Sequence, residues 1–323
     1  MRLIQLDIFR GLACLMVLLF HYTSRYAVAF DTRITTQLFD IKHGGLGVDL
    51  FFIISGFVIF MSISKNKSPF QFLIKRFIRL YPTFWICVII TFCVIYLSDL
   101  DQYKRTPLEL FLNLTMVPDA LGARRVDGAY WSLLPELLFY FMCFLLLYFN
   151  KIKNTTTVCL IWLMLIVLNH FIDTMPIRIL FNLKFGHLFI IGIHFYKIMF
   201  YQNKLTNHLF IFLSFLCSLL INTNPEKSVF LIGFITLFYL LVYGKLNWLK
   251  SKALSKLGEI SYPLYLVHQF IGFVVINRLI SMKLTEPTLL ILIPLTITVF
   301  ISIIVTYYLE PPFRKIIKRG LLR

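Results

Sequence analysis

Long apolar runs, broken at short intervals by basic or loop-forming stretches, set the pattern of this 323-residue chain. A helix needs about 20 apolar residues to cross a hydrocarbon core. On that scale ten spans are expected, centred on residues 4–24, 46–64, 80–98, 129–149, 156–172, 184–200, 208–222, 227–243, 258–280 and 287–309. The expected fold class is all-α, a polytopic transmembrane helix bundle. The longest connection on one side runs from about Asp99 to Gly128, polar and carrying Pro107 and Pro118. It reads either as a lid over the outer mouth or as a plain connecting loop.

The polar residues inside the spans narrow the picture, because an ionisable group in lipid is costly and tends to mark a site or a pathway. In LDIFRGLACLMVLLFHY, Arg10 and His21 lie eleven residues apart. At about 100° per residue that returns a helix to nearly the same face, and at 1.5 Å per residue it separates the two by roughly 16 Å. With Arg10 at one surface, His21 sits near mid-bilayer. The alternative makes Arg10 a positive-inside anchor and His21 a packing residue. In HGGLGVDLFFIISGF, the glycines permit close backbone approach, Asp49 enters the apolar run, and Ser55-Gly56 fits tight helix packing. In AYWSLLPELLFY, Ser132 and Glu136 share a face at i,i+4, and Pro135 is expected to kink the helix by clashing with the carbonyl of Trp131. In LGEISYPLYLVHQ, Ser261, Tyr265 and His268 form one stripe, with His268 again near mid-depth. His170, His187, His194 and His208 lack such a pattern and read as structural or interfacial.

Charge adds orientation. Lys and Arg number 32 against 15 Asp and Glu, a formal +17, with 59% hydrophobic residues and a mean hydropathy of +0.81. The basic residues gather on alternate connections, and with the N-terminus inside, the cytoplasmic stretches hold only Asp7, Glu259 and Glu310 as acids. Such asymmetry sets topology, so both termini are expected in the cytoplasm and no nucleic-acid partner is needed to account for the charge. The stretch KNKSPFQFLIKRFIRLYP carries Lys75, Arg76 and Arg79 at i,i+3 and i,i+4 spacing, able to share one basic face. Guanidinium forks suit phosphate, with Phe77, Tyr81 and Trp85 available for a base to stack on; an anchor for anionic headgroups is the other reading. Ala27-Val28-Ala29 mimics a leader cleavage site, but the polar face before it argues for retention. Six cysteines without CxxC spacing indicate neither a disulfide framework nor a zinc site, and no metal is expected.

Together, LDIFRGLACLMVLLFHY, GGLGVDLFFIISGFVI, KRFIRLYPTFW, YWSLLPE and ISYPLYLVHQ, in that order, resemble the acyltransferase-3 family of membrane O-acyltransferases. The resemblance covers most of the chain and makes residues 1–323 a single integral membrane acyltransferase domain. Some members append an extracytoplasmic hydrolase-like domain; none is expected here, since the chain ends soon after the tenth span. The resemblance implies transfer of an acyl group, usually acetyl, from cytoplasmic acetyl-CoA to a hydroxyl of an extracytoplasmic glycan such as a lipopolysaccharide or exopolysaccharide. It implies a bacterial inner-membrane location, with the lipid bilayer, acyl-CoA and the glycan acceptor as partners and no permanently bound cofactor. It marks Arg10 and His21 as essential and Arg76/Arg79, with Lys75, as contacts for the CoA phosphates.

A mechanism fits these residues. His21 acts as general base on the acceptor hydroxyl or as an acyl-carrying nucleophile, with Glu136 or Asp49 fixing its tautomer. His268, Tyr265 or Ser132 steadies the oxyanion, and Trp131 adjoins the acceptor. The competing readings are a transporter or flippase relaying protons through the same buried groups, and a catalytically silent acyl-CoA sensor.

Overall fold

A computed structural model describes residues 3–65, 68–201, 203–222 and 224–321. It is all-helical among the described residues. The principal helices are α1 (Ile4–Ala29), α2 (Gly47–Lys65), α3 (Pro69–Tyr96), α4 (Leu133–Tyr148), α5 (Thr155–Ile172), α6 (Gly186–Phe200), α7 (Leu205–Ile221), α8 (Pro225–Val242), α9 (Lys252–Ser281), α10 (Pro287–Ile304) and α11 (Glu310–Leu321). Each of the ten expected spans corresponds to one of α1 to α10. Eight apolar helical segments among the described residues are long enough to cross a membrane, whereas α6 and α7 have only 15 and 17 residues. Helix α3 starts at Pro69, so the basic stretch expected as a connection is a helical extension of the span and continues through Pro82.

The chain divides into two compact units. The first comprises Met1–Phe9, Val48–Arg76 and Pro135–Ser251. Its centre is α6, whose side chains are buried almost without exception, which accounts for buried His187 and His194. Small residues let the backbones of α2 and α6 meet there: a Cβ on Gly56 would lie 2.2 Å from the Phe189 carbonyl oxygen, and one on Gly192 2.1 Å from that of Ile53. Ring contacts of Phe139 with Phe189, and of Phe195 with Phe238, tie α4 and α8 to the same helix.

The second unit comprises Arg10–Gly47, Phe77–Leu134 and Lys252–Arg323. Helices α9 and α10 pack together along their lengths, and most of α9 beyond Gly258 is buried. Helix α1 changes pitch within this unit: residues His21–Arg25 form one π-helical turn. Such insertions are frequent at functional sites because they re-aim side chains without ending the helix.

The Asp99–Gly128 connection is more structured than a plain loop. It includes a short helix, Pro107–Asn113, started by a reciprocal capping box between Thr106 and Glu109 with Pro at the first position. Directly after that helix the Tyr81 hydroxyl donates to the Thr115 carbonyl (3.1 Å) and the Trp85 indole N–H to that of Leu114 (2.9 Å). Tyr81 lies fifteen residues before the end of α3 at Tyr96, about 22 Å along a helix. The connection is therefore re-entrant. Non-helical backbone at that depth needs internal partners, and fully buried Asn113 supplies them, bonding the carbonyls of Glu109 and Arg124 and the amide of Val126.

Candidate active site

The second unit brings His21 and His268 together. His268 Nε2 lies 3.1 Å from His21 Nδ1, with ring centroids 4.8 Å apart and planes at 72°. Each ring is also tethered to its own helix: His21 Nδ1 is 2.8 Å from the Val17 carbonyl and His268 Nδ1 is 2.7 Å from that of Tyr265. Carbonyl oxygens only accept, so both Nδ1 atoms carry the proton when the rings are neutral. Nε2 of His268 is then the acceptor facing the His21 N–H, and Nε2 of His21 is left with its lone pair. A histidine pair thus fixes a tautomer where the sequence led us to expect a carboxylate partner for His21.

Around this pair, the fully buried Tyr22 hydroxyl donates to the His268 carbonyl at 3.0 Å and meets Thr298 Oγ1 at 3.2 Å. Its ring leaves no room at Gly272, where a Cβ would lie 2.1 Å from Tyr22 Cε1. One turn back on the same stripe of α9, Ser132 Oγ is 2.8 Å from the Tyr265 hydroxyl, which donates to the Ala129 carbonyl at 3.0 Å. Gly44 and Gly47 serve the close approach expected of them: Cβ atoms there would lie 2.3 Å from the Met16 carbonyl oxygen and 2.4 Å from that of Ala13.

Asp127, which the sequence reading passed over, ends the re-entrant connection and is fully buried. One carboxylate oxygen accepts from the Ala129 amide at 2.8 Å, the other from the amide of Phe270 on α9 at 2.9 Å. It therefore ties the Gly128–Ser132 turn to the helix that carries Tyr265 and His268. A carboxylate suits the position because both its oxygens accept.

The YWSLLPE segment is built differently from the expected kinked helix. Residues Gly128–Ser132 form a 3-10 turn and α4 starts at Leu133, so Pro135 falls in the first helical turn. An amide there has no intrahelical partner to lose, and the predicted clash with Trp131 does not arise. Ser132 and Glu136 consequently do not share a helical face: Ser132 joins Tyr265, and half-buried Trp131 lies in the 3-10 turn. Glu136 belongs to the first unit, where its Oε1 accepts from Ser55 Oγ at 3.0 Å and from the Tyr140 hydroxyl. Ser55 is thus a carboxylate ligand rather than a packing residue, while Gly56 packs as expected.

The basic residues of α3 also separate. Arg76 turns into the first unit, donating to Ser62 Oγ at 2.8 Å and lying over the rings of Phe72 and Tyr140. Lys75 and Arg79 are exposed. Phe77 and Tyr81 stack on each other at 4.3 Å, and Trp85 packs near Phe313. Arg10 is half-buried in α1, and Asp49 sits half-buried in the first turn of α2 within the first unit. Among the described residues no cluster of three metal-ligating side chains occurs.

Comparison with known proteins bears on the family of the chain. Residues 3–308 match the acyltransferase domain of the acyltransferase-3 family. The chain is 30% identical over 149 residues to the O-acetyl transferase of Shigella phage Sf6, covering 42% of this chain and 43% of that protein. It is 28% identical over 123 residues to nodulation protein 10 of Rhizobium leguminosarum bv. viciae, covering 32% and 34%. With the ORF330 protein of Acidianus two-tailed virus it shares 25% identity over 260 residues, 75% of this chain and 78% of that one. The chain thus spans less than half the length of the first two. No solved structure matches it. With nearly its full length inside that match, the chain belongs to the acyltransferase-3 family.

Proposed function

We propose that this protein is a membrane O-acetyltransferase that moves an acetyl group from acetyl-CoA on the cytoplasmic side to a hydroxyl of an extracytoplasmic glycan or glycolipid. Family membership and the name of the phage relative support acyl transfer. The observation that carries the reading is the His21–His268 pair, whose hydrogen bonds leave His21 Nε2 basic. In the reaction, His21 Nε2 takes the proton of the acceptor hydroxyl as its oxygen attacks the thioester carbonyl. The imidazolium so formed is steadied through its Nδ1–H by His268 Nε2. Collapse of the tetrahedral intermediate breaks the C–S bond, and the CoA thiolate leaves with the proton from His21. General base catalysis of this kind contributes typically 10²- to 10⁴-fold.

Ser132 and Tyr265, joined by a hydrogen bond, supply a hydroxyl donor for the developing oxyanion once the Tyr265 proton turns away from the Ala129 carbonyl. Exposed Lys75 and Arg79 receive the CoA phosphates, and Arg10 holds the inner part of the donor path. Trp131 adjoins the acceptor.

The test is single-turnover transfer from radiolabelled acetyl-CoA by purified protein in nanodiscs, with membranes of the host as acceptor source. Wild type should release CoA and leave alkali-labile label on glycan, and His21→Ala should do neither at equal protein content. Unchanged transfer by His21→Ala, or no thioester cleavage by wild type, would refute the reading.

A further inference from the structure

The segment LGEISYPLYLVHQ ends on a residue that the proposed reaction leaves unused. Gln269 follows His268 on α9 and is 5% exposed, and its side-chain oxygen Oε1 is buried without a hydrogen-bond partner. A buried acceptor left unpaired costs free energy that an apolar side chain of similar shape would not. The amide therefore does not earn its place by stabilising the unliganded fold.

The Gly128–Ser132 turn shows that the amide is nonetheless accommodated. Gly128 opens that turn, and a Cβ there would lie 2.8 Å from Gln269 Nε2 and 2.9 Å from Oε1. The amide thus occupies the space that a side chain at Gly128 would fill. Other groups hold the turn against α9. Asp127 accepts from the Phe270 amide at 2.9 Å, and the Tyr265 hydroxyl meets both the Ala129 carbonyl and Ser132 Oγ. Tyr265 lies one turn before Gln269 on the same face of α9. The turn consequently meets the helix at two levels, and at the Gln269 level an acceptor stays unpaired.

We propose that Gln269 is an acceptor-binding residue, its Oε1 taking a hydrogen bond from a second hydroxyl of the sugar that is acylated. The inference rests on the acyl-transfer reading above. A neutral amide oxygen suits a neutral O–H or N–H donor rather than a phosphate or a cation. Gln269 adjoins His268, the partner of His21, so a sugar with one hydroxyl at His21 has others within reach of the amide. On the orientation that the charge asymmetry predicts, the connection ending at Gly128 belongs to the side from which the glycan arrives. The terminal torsion of glutamine is soft, which lets Oε1 swing to meet an incoming hydroxyl.

The experiment compares wild type with Gln269→Met, which keeps an unbranched side chain and removes the amide. Both are assayed in nanodiscs for transfer from radiolabelled acetyl-CoA, titrating the glycan fraction of host membranes and acetyl-CoA in turn. The half-saturating glycan concentration should rise about five- to tenfold, the loss of one neutral hydrogen bond. The KM for acetyl-CoA should stay within about twofold, and the thermal midpoint should equal or exceed that of wild type. Gly128→Ala pushes the amide from its place and should raise the same glycan concentration; the double variant should do no worse than the larger single change. A rise in the KM for acetyl-CoA instead would assign the amide to an N–H of the donor and overturn the proposal. Equal glycan saturation in Gln269→Met and wild type would overturn it too, as would a lower thermal midpoint with both saturation constants unchanged. Absence of CoA release by wild type would sink the acyl-transfer reading itself, whereas CoA release with unshifted glycan saturation sinks this inference alone.

Discussion

His268 Nε2 stands 3.1 Å from His21 Nδ1, and each imidazole is anchored through Nδ1 to a carbonyl of its own helix. On the proposed reading, His268 acts on His21 as an orienting group. His268→Ala should lower kcat about 100-fold, the effect of a misplacement of about 1 Å at a reacting group. It should leave the KM for acetyl-CoA near the wild-type value. His268→Gln offers an amide oxygen in place of the imidazole acceptor and should recover part of that loss. Equal turnover in His268→Ala and wild type would show that the pair is structural. Because Nε2 of His21 serves equally as base or nucleophile, rapid-quench analysis separates the two: an acyl-enzyme burst without acceptor marks the nucleophile, and none marks the base.

Asp127 joins the Asp99–Gly128 connection to α9, accepting from the Ala129 amide with one oxygen and from the Phe270 amide of α9 with the other. Asp127→Asn keeps one acceptor but turns an amide N–H₂ toward the second donor, leaving a buried N–H unsatisfied at a cost of about 1–3 kcal/mol. The Ser132–Tyr265 contact depends on the same turn. The variant should unfold at lower temperature in detergent and lose turnover together with Tyr265→Phe in a non-additive way. A double-mutant cycle that sums within about 0.5 kcal/mol would separate Asp127 from that pair.

The short helix of the re-entrant connection has its own pH dependence. Glu109 is held down to about 2 by its hydrogen bond from Arg124 and by the Thr106 amide and hydroxyl, against partial burial that acts to raise it. A depressed carboxyl contributes stability above the unfolded value of 4.5, and loses it as pH falls through that value toward 2. Protease cleavage between Gln102 and Arg125 should accelerate as pH drops from 5 to 3. Glu109→Gln should be cleaved faster at pH 5 and show little further change. A wild-type rate independent of pH over that interval would refute the coupling.

Local pattern revealed the helices that carry Arg10, His21 and His268, because helical geometry converts spacing directly into face. It also revealed the glycines of α2, where steric exclusion follows from the residue type. Pairings set by tertiary contact were not legible. Ser132 and Glu136 satisfy an i,i+4 rule on paper, yet the helix starts between them. Asp127 is buried only because the connection re-enters the unit, and nothing in VDGAY signals that fold. Tyr22 follows His21 immediately, but its partners, Thr298 and the His268 carbonyl, are more than two hundred residues away in the chain.

Arg76 and Arg79 share a motif but not a surroundings. Arg76 is occupied by Ser62 and by the rings of Phe72 and Tyr140, so its removal exposes a packed aromatic site. Arg79 and Lys75 are exposed, and on the proposed reading they meet the CoA phosphates. Arg79→Gln with Lys75→Gln should therefore raise the KM for acetyl-CoA roughly tenfold or more, since each charged contact is worth about 1.5–3 kcal/mol when fully formed and less at an exposed site. The effect should shrink as ionic strength rises and screening takes over. Arg76→Gln should instead lower thermal stability and kcat with a smaller change in KM. The opposite ordering would make Arg76, not its exposed neighbours, the donor contact, and would require its guanidinium to leave Ser62 when acetyl-CoA binds.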